Sequence, residues 1–134
     1  MKVIVVDTNT FIAAGWSVHA HSRRVFSSVA RRRFKLAVST AILAEYRGVS
    51  QRPRFAGKNY GGLLAWIEKF AMVVDPAPLG KKRSRDATDD IFLACALSAG
   101  AKIIVSSDQD LLALQKPFGI EVIDPVRFIA RHKL

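Results

Sequence analysis

Lys2-Val3-Ile4-Val5-Val6-Asp7-Thr8-Asn9 joins an unbroken run of branched apolar residues to an acid, a hydroxyl and an amide. A strand with one wet face alternates apolar and polar residues, whereas this run does not, so Lys2 to Val6 reads as a buried strand. Lys35 to Val38, Ala71 to Val74, Lys102 to Val105 and Ile120 to Ile123 read the same way: short, rich in branched residues and followed by Asp, Ser or Thr. Longer helical patterns separate them, roughly Thr8 to Ala14, Ser22 to Arg31, Thr40 to Gln51, Tyr60 to Phe70, Asp86 to Ala99 and Pro125 to Lys133. Strands alternating with helices need crossover connections. The predicted fold is therefore a three-layer α/β/α domain with a central, mostly parallel sheet of about five strands. At 134 residues the chain suits one such domain, 1–134, with one core.

Composition narrows the function. Half of the residues are hydrophobic, which excludes wholesale disorder. Twenty-one Lys and Arg stand against eleven Asp and Glu, a formal net charge of +10. That surplus favours a polyanionic partner. The single cysteine, Cys95, excludes an internal disulfide, and the sequence around it reads as packed core. The apolar run before Asp7 is far too short for a membrane span or a signal-peptide core, so the expected location is the cytoplasm, without membrane attachment.

The acids are few, and their places matter. Asp7 follows the first strand, and Asp108 follows the strand ending at Val105. Glu45 is the only acid in the helix Thr40 to Gln51, and Asp86, Asp89 and Asp90 crowd one helix start. Asp110 reads as the cap of a short turn at Leu111-Leu112. Each acid alone has an ordinary reading as a helix cap or a solvated charge. Together they imply more, because a parallel sheet gathers the carboxyl ends of its strands, and the helix starts that follow them, at one edge. Clustered carboxylates repel unless a cation neutralises them, and an all-oxygen set suits Mg²⁺ or Mn²⁺ rather than zinc. Such a site can polarise a phosphate and acidify water, which provides phosphodiester hydrolysis without a histidine base.

The residues resemble the PIN-domain family, and within it the toxin-like branch of bacterial and archaeal toxin–antitoxin systems. Four segments carry the resemblance, in order and at family spacing: Val5-Val6-Asp7-Thr8-Asn9; Ser39 to Arg47 with Arg52-Pro53-Arg54-Phe55; Asp86 to Leu93; and Val105 to Leu112. The resemblance implies that Asp7, Glu45, Asp89 and Asp108 are the catalytic, metal-binding acids, with Asp90 as the alternative to Asp89. Asn9 and Ser106 would be polar groups that support the acids or orient substrate. It also implies Mg²⁺ or Mn²⁺, an RNA substrate, a homodimer and a cognate antitoxin protein. Ala87 stands where the family commonly has proline, and Ser106 replaces its usual threonine.

Basic segments are the expected RNA contacts: Arg31-Arg32-Arg33; Arg52, Arg54 and Lys58; and Lys81, Lys82, Arg83 and Arg85. Phe55, Tyr60 and Trp66 are the candidate base-stacking rings. The rival readings are a housekeeping PIN nuclease of RNA processing without an antitoxin, and a non-catalytic nucleic-acid-binding module. An aspartyl phosphatase fits less well, because Asn9 stands where a second acid is expected.

Overall fold

Five parallel strands form one sheet in the computed structural model, which describes residues 1–17, 19–76 and 89–134. The strands are β1 (Val3–Val6), β2 (Lys35–Val38), β3 (Met72–Val73), β4 (Ile103–Val105) and β5 (Glu121–Ile123), in the order β3-β2-β1-β4-β5. The helices are α1 (Thr8–Trp16), α2 (His21–Ala30), α3 (Thr40–Ser50), α4 (Tyr60–Phe70), α5 (Asp90–Ala99), α6 (Gln109–Leu112) and α7 (Pro125–His132). All five expected strands are present, and every pairing is parallel.

Ile4, Val5 and Val6 are completely buried, as a strand covered on both faces must be. Helix α1 packs against α2, α3 and α4, and α7 packs on α2, while α5 lies across β1, β2 and β4. The first three strands step to one side of β1, and β4 and β5 lie on the other. Right-handed crossovers in these two directions put α5 and the α1–α4 group on opposite faces, giving the three layers. No helix among the described residues is long and apolar enough to cross a membrane.

Local chemistry sets the boundaries. Ser39 caps α3, its hydroxyl oxygen accepting from the Ile42 N–H at 3.2 Å, and Asn59 caps α4 through Gly62 N–H at 3.0 Å. Helix α1 runs to Trp16, two residues past the expected end at Ala14. Its continuation rests on a distant contact: Tyr60 packs against Gly15, and its hydroxyl donates to the Ile12 carbonyl at 2.7 Å. Helix α5 begins at Asp90. The expected start at Asp86 lies outside the described residues.

Two glycines separate packing from propensity. A Cβ on Gly15 would stand 2.3 Å from the Tyr60 ring, whereas one on Gly48, in α3, would meet nothing within 4 Å. Gly48→Ala is expected to add about 0.5–1 kcal/mol to stability through helix propensity. Gly15→Ala gains the same propensity but forces apart α1 and Tyr60, and is expected to cost about 1–3 kcal/mol net. Urea unfolding of both variants reads the signs. Two stabilising results would contradict the close packing of Tyr60 on α1.

Candidate active site

The edge of the sheet at the carboxyl ends of β1 and β4 is where the chain reverses its direction of winding. Open α/β sheets leave a crevice at such a point. Here the crevice is a cavity of about 300 Å³ lined by Asp7, Thr8, Asn9, Glu45, Val49, Arg52, Asp89, Phe92 and Asp108. Acids from four separate segments thus line one cavity.

Asp7 ends β1 and caps α1. One carboxylate oxygen accepts from the Thr10 N–H at 2.8 Å, and the other accepts from the Ser106 hydroxyl at 2.5 Å. Ser106, fully buried after β4, accepts in turn from the Asp108 N–H at 2.9 Å. Its hydroxyl therefore ties the loops carrying Asp7 and Asp108 together. Burial pushes the Asp7 carboxyl above the usual carboxylate range. Hydrogen bonds from Ser106 and Thr10 pull it back in part, and the charge of Asp108 adds to the rise.

Asp108 is the N-cap of α6, with Oδ1 accepting from the N–H groups of Asp110 at 2.8 Å and Leu111 at 3.4 Å. This corrects the expectation that Asp110 caps that turn. Asp110 sits in the first turn instead, and carboxylate oxygens of Asp89, Asp108 and Asp110 lie within 4.8 Å of one another. Asp110 is thus a candidate ligand that sequence reasoning passed over, although its Asp-x-Asp spacing from Asp108 was the available signal. Asp89 is buried just before α5, and Asp90 is half-buried in the first turn without lining the cavity.

Glu45 enters from α3. Arg47, two residues on, pairs with Glu68 of α4. Tyr46, fully buried beside Glu45, donates its hydroxyl to the carbonyl of Val6, the last residue of β1. Its ring stacks on Phe11 at 4.3 Å, nearly parallel. This contact pins α3 to the end of β1, one residue from Asp7. Burial and the Asp7 charge hold the Tyr46 phenol well above its ordinary pKa, so it serves as a neutral hydrogen-bond donor.

Asn9 is exposed on the cavity wall, while Ser106 is buried behind it. The Thr8 hydroxyl oxygen, also on the wall, is buried without a hydrogen-bond partner among the described residues. Buried polar atoms are almost always satisfied, so an unpaired one beside an acid cavity suits a ligand oxygen or a water. Cys95 is buried, and burial pushes its thiol up to about 12, which keeps it an unreactive core residue.

The basic and aromatic candidates divide. Arg52 is on the rim of the acid cavity, and Arg54 and Lys58 are exposed near it. Arg31, Arg32 and Arg33 precede β2 and so stand at the opposite edge of the sheet, away from the acids. Lys81, Lys82, Arg83 and Arg85 lie outside the described residues. Phe55 and Tyr60 are not open for stacking, being 7% and 4% exposed and packed on each other edge to face. Trp66 is half-buried against Phe70.

No curated protein matches the chain by sequence. Solved structures share its fold. The VapBC2 structure from Rickettsia felis, bound to a DNA fragment from its promoter, matches with a TM-score of 0.65 at 15% identity, covering 91% of this chain and 98% of that one. PAE2754 from Pyrobaculum aerophilum matches with a TM-score of 0.64 at 20% identity, covering 97% and 88%. VapC20 of Mycobacterium tuberculosis, described as a sarcin–ricin loop cleaving toxin, matches with a TM-score of 0.58 at 17% identity, covering 82% and 93%. A sequence model of the PIN domain spans residues 3–110, from the first strand to the last acid of the cavity region. With that span matched, this basic α/β chain belongs to the PIN domain family.

Proposed function

We propose that this protein is a divalent-metal-dependent endoribonuclease and the toxin of a toxin–antitoxin pair. One observation carries the reading: Asp7, Glu45, Asp89 and Asp108 line a single cavity at the junction of β1 and β4, with Asp110 beside them. A protein that merely bound phosphate would gain nothing from so many negative charges. The donor set fits a hard cation. It is all oxygen, three carboxylates approach within 4.8 Å, and burial alone leaves Asp7 disposed to hold a proton. Asp7, Glu45, Asp89 and Asp108, joined by Asp110, would hold Mg²⁺ or Mn²⁺. When bound, the cation neutralises the acids and supplies the Lewis-acid chemistry of phosphodiester hydrolysis.

The protein's own groups do the positioning. Ser106 holds Asp7 and Asp108 in fixed relation through its two hydrogen bonds. Asn9 and the unpaired Thr8 hydroxyl offer polar contacts to a substrate on the cavity wall. Arg52 on the rim draws a phosphate toward acids that would otherwise repel it. An RNA substrate is supported by the loop-cleaving neighbour and by the net charge of +10, and an antitoxin partner by the VapBC2 neighbour, while a homodimer is what the family resemblance implies.

The deciding experiment incubates the protein with RNA in Mg²⁺, in Mn²⁺ and in EDTA, and maps the ends produced. Cleavage is expected with either metal and not in EDTA, falling steeply as salt rises because the substrate is held by its phosphates. Equal cleavage in EDTA would refute the proposal.

A further inference from the structure

A second groove, of about 470 Å³, opens off the acid cavity. One wall is the exposed side of α1, where Asn9, Ile12, Ala13 and Trp16 follow the helical spacing of a single face. Arg52, Arg54 and Phe55 form the other wall. Asn9, Val49 and Arg52 belong to both depressions, so the two are continuous.

Trp16 lies at the far end and is 48% exposed, an uncommon state for so large an apolar ring. The Phe55 ring meets it edge on at 6.1 Å, and the Lys58 ammonium lies 4.4 Å from its centroid. The Arg54 guanidinium lies 5.0 Å over Phe55. The indole thus has a ring on one side and a cation over it, and among the described residues no carboxylate lines the groove.

We infer that this groove seats the unpaired nucleotides flanking the scissile phosphate, with a base stacked on Trp16. The inference rests on the nuclease reading and names the side chains that hold the strand beside the cut. From Asn9 to Trp16 is about 10 Å along the helix. A strand covers that distance in two or three nucleotides at about 3.4 Å per stacked base. Arg52 and Arg54 take phosphates along the path. Lys58 gives up its place over the indole to the base and turns to the backbone, because stacking outweighs an exposed cation–π contact. A strand paired along this stretch has no free base face to offer, so the groove selects against duplex.

Trp16 and Trp66 are the chain's two tryptophans, so a Trp66→Phe background leaves Trp16 as the reporter. That protein, also carrying Asp7→Asn to prevent turnover, is titrated in Mg²⁺ with a 12-nucleotide oligoadenylate. The Trp16 emission is expected to quench, and a strand of the same length made abasic throughout is expected to bind about 10- to 100-fold more weakly. With Trp16→Ala added, and binding read instead by the anisotropy of end-labelled strands, intact and abasic strands should bind alike. In the cleaving protein, Trp16→Ala should raise KM for single-stranded RNA by a similar factor with little change in kcat, and Trp16→Phe should restore most of it. Unchanged Trp16 emission from a protein whose parent does cut RNA overturns this inference alone, and is the result expected if the groove serves a protein partner. Quenching without any cleavage by the parent supports the groove and overturns the nuclease reading. Neither quenching nor cleavage overturns both.

Discussion

Asp7→Asn is expected to lower metal-dependent RNA cleavage by about 10³-fold or more, since it removes one of the four acids that line the cavity. The same substitution is expected to raise the melting temperature of the metal-free protein. The sign follows from proton binding. Burial lifts the Asp7 carboxyl above its ordinary value of 3.8, so the folded protein holds that proton more tightly than the unfolded chain. Stability from this residue is full below the unfolded value and is lost as pH rises through the folded one. At neutral pH the wild-type protein must therefore bury a charge or take up a proton, and asparagine is spared either cost. Asparagine also retains an acceptor for the Thr10 N–H and a partner for Ser106. The gain should vanish below about pH 4, where the unfolded carboxyl is itself protonated. Mg²⁺ should raise the melting temperature of the wild type and have little effect on the variant. Thermal melts across pH, with and without metal, check all three expectations. A variant less stable than the wild type at neutral pH would mean that Asp7 acts mainly as the cap of α1.

Tyr46→Ala is expected to cost about 3–5 kcal/mol, a large part of the about 5–15 kcal/mol that holds an ordinary domain together. The side chain is fully buried, stacks on Phe11 and anchors α3 to the carbonyl of Val6. Tyr46→Phe keeps the stack and removes only the hydroxyl, so about 1 kcal/mol is expected. The ratio of the two losses, read by denaturant unfolding, distinguishes packing from hydrogen bonding. The phenylalanine variant should also lose activity beyond its loss of stability, because the hydroxyl fixes the helix that carries Glu45 against the strand that carries Asp7. A phenylalanine variant with undiminished cleavage would sink that positioning role.

Most of the scaffold was legible because it rests on local patterns. Val3-Ile4-Val5-Val6 and Ile103-Ile104-Val105 are too apolar for a strand with a wet face, and the helical patterns starting at Thr40 and Tyr60 give α3 and α4 their first residues. Parallel topology then carried Asp7 and Asp108 to one edge without further information. Other features depended on contacts between distant segments, which no local pattern encodes. Gly15 looks like a helix end and is helical, because Tyr60, 45 residues later, needs the space where a side chain would stand. Phe55 and Tyr60 look like free rings beside basic residues, yet they are core, and the ring left open beside them is Trp16 at the end of α1. Asp108 and Asp110 are equally good caps by composition, and only the path of the chain after β4 decides between them. Arg31 to Arg33 form the densest arginine run, but their place before β2 puts them at the wrong end of the sheet.

The fourth strand is made late but lies beside the first. During synthesis β1, β2 and β3 can assemble early, yet the edge of β1 that receives β4 stays bare until residue 105 has emerged, and Asp108 arrives later still. Joining partners so far apart in the chain is slow. A nascent polypeptide therefore has no half-strength version of the cavity. The cavity can close only after the last third of the chain has been made and β4 has docked beside β1.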